Sequence, residues 1–148
     1  MIIKAVKTIV VAAFAVLCIF ARKNRLQQFD SVFVKEAFAE NKRNYNKLMQ
    51  AIDHLFSKEY SKALRKLQRL EKQCVSNKQV AVVKLFMAMC YHAEKKYDDA
   101  VSVYERMLAT DGSNAYAWAY LGRVYDERGQ RDMAFQAYEN ALFYQPEN

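Results

Sequence analysis

His54, His92 and Cys90 are the side chains of this chain best placed by type to do chemistry. Cys90-Tyr91-His92 sets a thiol two residues from an imidazole, a pair that could in principle ligate a metal ion. On a helix, positions two apart point away from each other, so the pair does not converge. There is no Cys-x-x-Cys, no His-Glu-x-x-His, no glycine-rich phosphate loop and no serine in a nucleophile-elbow context. These residues therefore predict ordinary packing, with no metal, no cofactor and no catalysis. A third chemical feature is a basic run, Lys58, Lys62, Arg65, Lys66, Arg69 and Lys72, whose helical partners Ala63, Leu67, Leu70 and Cys74 take the opposite, buried side. A solvated face, contact with lipid or an acidic protein, and contact with nucleic acid all fit it. The last is least favoured, because no exposed aromatics interleave with the charges.

The elements that must carry these residues are long helices. Three Gly and one Pro in 148 residues leave few breaks, and 10 Tyr with 9 Phe supply large packing surfaces. That length holds one compact domain and an appendage. The net charge of +7 divides unevenly, with residues 1–97 at +12 and residues 98–148 at −5. Cys18, Cys74 and Cys90 have no framework spacing, which favours a reducing compartment and leaves room for one pair at most.

Residues 1–22 read as an N-terminal membrane anchor. Thr8 to Ala21 is uncharged and mostly apolar, with Lys4 and Lys7 before it and Arg22, Lys23 and Arg25 after it. Fourteen helical residues reach roughly 21 Å against a hydrocarbon core of about 30 Å, so a single-pass span must also recruit Ile2, Ile3, Ala5 and Val6 while the lysines snorkel. A cleaved signal peptide, with export of the rest, is the alternative, but Ile19 stands where a small residue should precede the cut. The richer basic flank after the helix, the cysteines and the absence of an Asn-x-Ser/Thr acceptor favour a cytoplasmic C-terminal domain. Residues 23–43 follow as an amphipathic connecting helix, with Leu26, Phe29, Phe33, Ala37 and Phe38 on one side. It is expected to cap the repeats or, alternatively, to dock in their groove.

The final 34 residues carry Trp118, Leu121, Gly122, Tyr125, Ala134, Tyr138, Ala141 and Pro146, and their spacing closely resembles the tetratricopeptide repeat (TPR) family. Thirty-four residues earlier, Ala88, Tyr91, Ala100 and Tyr104 keep the same character. An offset of 37 finds a further copy through Ala51, His54, Tyr60, Ala63, Leu67 and Leu70. The expected fold is an all-α solenoid of about three helical hairpins over 44–148, with repeats near 44–79, 81–114 and 115–148.

The resemblance implies that a partner lies in the concave surface made by the first helix of each hairpin. The matching positions are Tyr45, Leu48 and Ile52, with Leu55; then Val82, Leu85, Met89 and His92; then Tyr116, Ala119, Arg123 and Asp126. Most are apolar, which suits an apolar or amphipathic protein or peptide ligand. The carboxylate-clamp members of the family use Lys and Asn at several of these sites, and this chain does not. Leu48 and Leu55 equally suit core positions between hairpins. The function expected is thus a membrane-tethered, non-enzymatic interaction adaptor. The alternative is a structural subunit that self-associates or joins a larger membrane complex through the last helix. That helix offers Phe135, Leu142, Phe143 and Tyr144, and the chain stops at Asn148 without another helix to cover them.

Overall fold

The computed structural model describes residues 32–144. The expected anchor, residues 1–22, lies outside the described residues, as do Leu26, Phe29 and Pro146. Among the described residues no helix is long and apolar enough to cross a membrane. The helices are α1 (Val32–Ala37), α2 (Lys42–Phe56), α3 (Tyr60–Glu71), α4 (Asn77–Ala93), α5 (Tyr97–Thr110), α6 (Ala115–Glu127) and α7 (Arg131–Tyr144). From α2 onward each helix packs on the next, giving three successive hairpins.

Local chemistry repeats with the hairpins. The first helix of each is closed at its N-terminus by a side chain that accepts a backbone N–H three residues on. Asn41 caps Asn44 at 3.0 Å, Ser76 caps Gln79 at 3.2 Å, and Asn114 caps Ala117 at 3.0 Å. Each of these helices ends in a left-handed residue, Lys58 (φ 61), Lys95 (φ 60) and Gly129 (φ 74). In each turn the next residue's N–H reaches back over the helix end, from Glu59 to the His54 carbonyl, Lys96 to Tyr91 and Gln130 to Tyr125, all at 2.9 Å. These are Schellman closures. They recur at 37 and then 34 residues, the two offsets found in the sequence.

Two hydrophobic clusters fill the array, one from α1 to α4 and one from α4 to α7. Helix α4 serves both. Val83, Phe86 and Cys90 enter the first cluster, Leu85 and Ala88 the second, so α4 is apolar almost all round, as a central helix must be. Burial beside Glu94 pushes the Cys90 thiol up to about 12. The helices α6 and α7 approach closely at Gly122, where an added Cβ would lie 2.9 Å from two carbons of the Tyr138 ring and 3.3 Å from the Ala134 carbonyl oxygen. Of the repeat-signature residues, Leu121, Tyr125, Ala134, Ala88, Ala100 and Tyr104 are buried with Gly122, while Trp118, Tyr91 and Ala141 are half-buried.

Of the helix expected over 23–43, residues 23–31 lie outside the described residues; the described part is α1, which ends where the backbone turns at 38–40 and Asn41 starts α2 with its cap. Val34 and Phe38 are buried in the first cluster. Helix α1 packs mainly on α4, across the first helices of the array, and leaves the cleft between α2 and α3 open.

Candidate functional site

The first helices α2, α4 and α6 converge at their C-terminal ends on a cleft of about 420 Å³. Its apolar lining comes from Leu55 and Phe56 of α2, Met89 of α4 and Tyr120 of α6. Its rim is cationic, with Lys58 and Lys95 from the two left-handed turns and Arg123 from α6. The turns thus do two jobs, closing a helix and presenting a lysine to the same cleft.

One carboxylate, Glu127, stands among these cations. The His92 Nε2 lies 2.8 Å from its Oε2, the Tyr97 hydroxyl donates to the same oxygen at 3.5 Å, and Arg123 Nε is 3.8 Å from Oε1. The His92 hydrogen bond, the largest influence, holds the Glu127 carboxyl below the usual range. His92 belongs to hairpin two and Glu127 to hairpin three, so this contact also sets the relative position of two cleft walls. Arg128 and Asp98, 3.0 Å apart, join the same hairpins nearby. The first hairpin repeats the motif within itself, where His54 Nδ1 and Lys62 Nζ each lie 2.6 Å from a Glu59 carboxylate oxygen. The cleft wall on α6 is stiffened from behind, because Tyr120 stacks on the buried Tyr104 at a centroid distance of 6.3 Å.

A second cleft, also about 420 Å³, opens at the other ends of α4 and α6. Ala37 of α1, Val82 and Leu85 of α4, Met107 of α5 and Tyr116 of α6 line it, with Glu36, Lys78, Lys84 and Asp111 as charged groups. Helix α1 therefore occupies part of the surface that the sequence reserved for a partner.

The expected groove residues divide between these settings. Met89, His92 and Arg123 come together in the first cleft, and Val82, Leu85 and Tyr116 in the second, although Val82 and Leu85 keep only 4% exposure each. Tyr45 and Ala119 are half-buried, and Asp126 is exposed outside both clefts. Leu48 and Ile52 lie in the core instead: both are 0% exposed and belong to the first hydrophobic cluster, which spans α1 to α4. The sequence reading missed Phe56, Lys95, Tyr120 and Glu127, and it set Lys58 in the basic run rather than in the groove. A usable signal was present in Lys58 and Lys95, two lysines at equivalent turn positions 37 residues apart. Among the described residues no group of three or more His, Cys, Asp or Glu is arranged to hold a metal ion.

Beyond the clefts, α7 exposes Phe135 (64%), Leu142 (72%) and Phe143 (79%), with Tyr138 and Tyr144 less so.

Comparison with known proteins agrees with this fold. Residues 91–148 match the tetratricopeptide repeat family model. A 58-residue stretch is 38% identical to the protein bimA of Emericella nidulans, covering 39% of this chain and only 7% of that protein. The crystal structure of MamA superposes with a TM-score of 0.59 at 20% identity, over 69% of this chain and 58% of MamA. The second TPR of Spaghetti (RPAP3), bound to an HSP90 peptide, superposes with a TM-score of 0.59 at 21% identity, over 74% of this chain and 99% of that domain. The fold is thus an all-α array of TPR-like hairpins, and the chain spans a small fraction of bimA and under two thirds of MamA.

Proposed function

We propose that this protein is a non-enzymatic interaction module whose concave cleft takes a peptide segment of a partner protein, and that the apolar N-terminus tethers it to a membrane. The observation that carries the first half is the convergence of three first helices on Met89, Phe56 and Tyr120 beneath a rim of Lys58, Lys95 and Arg123. An apolar floor with cations at its edge suits an amphipathic segment that buries one or two large side chains and places carboxylates at the rim. The TPR of Spaghetti in its solved complex holds a peptide of another protein, which makes peptide binding a natural use of this fold. Isothermal titration of the full-length chain with selected peptides tests the reading. Arg123→Glu, at a side chain 64% exposed, should weaken binding at least tenfold, about 1.4 kcal/mol.

The tether rests on Thr8 to Ala21 and its basic flanks. In this reading the array lies on the cytoplasmic side, where the free thiols Cys74 and Cys90 stay reduced. Alkaline extraction of native membranes tests it, and release of the full chain would end it.

A second reading is favoured by α7. Phe135, Leu142 and Phe143 form an apolar stripe that suits a structural subunit assembling with itself or with a larger complex. Phe135→Glu with Phe143→Glu should abolish any concentration-dependent increase in mass of the detergent-solubilised chain. An unchanged mass would retire this reading.

A further inference from the structure

The first hairpin carries a surface that neither the cleft nor the α7 stripe uses. Between α2 and α3, on the side to which α4 contributes nothing, lies a cleft lined entirely by basic residues: His54, Lys62, Arg65, Lys66 and Arg69. A second cleft continues from Lys66 and Arg69 toward Lys47 and Gln73. Glu59 at the edge of this face is already engaged by His54 and Lys62. Among the described residues Arg65, Lys66 and Arg69 have no acidic partner; Arg65 donates to the Ser61 carbonyl and Lys66 to the Gln50 side chain. Over residues 42–73 nine Lys or Arg stand against three Asp or Glu, whereas over 115–144 three stand against four. The array is therefore polarised along its length, with its positive end at the hairpin nearest in sequence to the apolar run.

We infer that the His54–Lys62–Arg65–Lys66–Arg69 face lies on the anionic headgroups of the membrane that holds the N-terminus. Unneutralised cations crowded on one helix face repel each other, and a surface of phosphates and carboxylates relieves that repulsion over the whole face at once. Guanidinium groups in particular match phosphate oxygens in fork geometry. The choice of lipid over other polyanions rests on the tethered reading. Only ten residues, 22–31, separate Ala21 from Val32, so the array starts within about 35 Å of the apolar run even if that stretch is fully extended. A tether of that reach keeps the array at high effective concentration beside the headgroups, so an attraction that acts only within about 8 Å in physiological salt is met often. The face thus orients the array, positive end down, with the peptide cleft carried beside the membrane.

Lysine acylation followed by mass spectrometry tests this on the full-length chain in vesicles of phosphatidylcholine alone or with phosphatidylserine. Lys62 and Lys66 should be acylated several-fold more slowly on the phosphatidylserine vesicles, with Lys95 and Lys96 as unaffected references. High salt should restore labelling while the chain stays with the vesicles, and Arg65→Glu with Arg69→Glu should restore it at low salt. Equal labelling of Lys62 and Lys66 on both vesicles overturns the inference, and so does protection by added RNA or polyglutamate with none from vesicles. Retention on neutral vesicles reports the tether separately. If the chain leaves phosphatidylcholine yet shows protected lysines on phosphatidylserine, the tether fails and the headgroup contact stands.

Discussion

Gly122 sits at a close approach between α6 and α7, and changing it to Ala gives a prediction whose sign depends on one neighbour. An added Cβ would sit 2.9 Å from Cδ1 and Cε1 of Tyr138 and 3.3 Å from the Ala134 carbonyl oxygen. Comfortable carbon contacts lie at about 3.5–4.0 Å, so the ring must withdraw by roughly 0.5–1 Å. Tyr138 is 37% exposed and has room to swing outward, which puts the overpacking cost in the lower part of the usual range, about 1–2 kcal/mol. Against this, Ala is favoured over Gly in a helix interior by about 1 kcal/mol. Gly122→Ala alone should therefore be destabilising by up to about 1 kcal/mol, and Gly122→Leu by about 2–3 kcal/mol. In a Tyr138→Ala background the ring is gone, and Gly122→Ala should become neutral or stabilising. The coupling energy expected from the four-variant cycle is about 1–2 kcal/mol. Trp118, the sole tryptophan and one turn away on α6, reports unfolding of the detergent-solubilised chain in denaturant. Equal effects of Gly122→Ala in both backgrounds would refute the close-approach argument.

Lys58 and Lys95 hold left-handed backbone that costs a side-chain-bearing residue about 1–2 kcal/mol, while Gly costs about 0.5–1 kcal/mol of chain entropy, so Lys95→Gly should stabilise by up to about 1 kcal/mol in denaturant titration. Loss of stability would show that the lysine contributes contacts outweighing the strain. The Tyr104 hydroxyl is buried without a hydrogen-bond partner, and burial raises its pKa; Tyr104→Phe should stabilise by about 1 kcal/mol, and a clear loss would reveal a partner for that hydroxyl. The Glu127 carboxyl titrates lower in the folded chain than in the unfolded one, so its contribution is present above the unfolded carboxylate pKa and is lost as pH falls through the folded value. Glu127→Gln should flatten part of the acid limb of melting temperature against pH, and an unaltered limb would contradict the His92–Glu127 link.

Much of the fold was legible because repeats write the same physics more than once. The signature from Trp118 to Ala141 and the offsets of 34 and 37 residues correspond to helix closures at Lys58, Lys95 and Gly129. Helix α1 was harder to place, since its apolar positions say that one side is buried but not against which helix. The groove was legible only in part for the same reason. Met89, His92 and Arg123 follow from helix phase, but Leu48 and Ile52 share that phase and are buried in the first hydrophobic cluster, a tertiary fact with no local trace. Glu127 and Tyr120 entered through contacts between hairpins, with partners 35 and 16 residues away in sequence.

The central claim, that the concave cleft holds a partner's peptide, is tested most directly by peptide selection on the full-length chain. A displayed random library should yield peptides with a large apolar residue beside carboxylates. Their affinity should fall at least tenfold with Arg123→Glu, about 1.4 kcal/mol, and stay unchanged with Phe135→Glu plus Phe143→Glu. Selected peptides that ignore Arg123→Glu but are lost with the α7 changes would contradict the account and move the binding surface to the last helix.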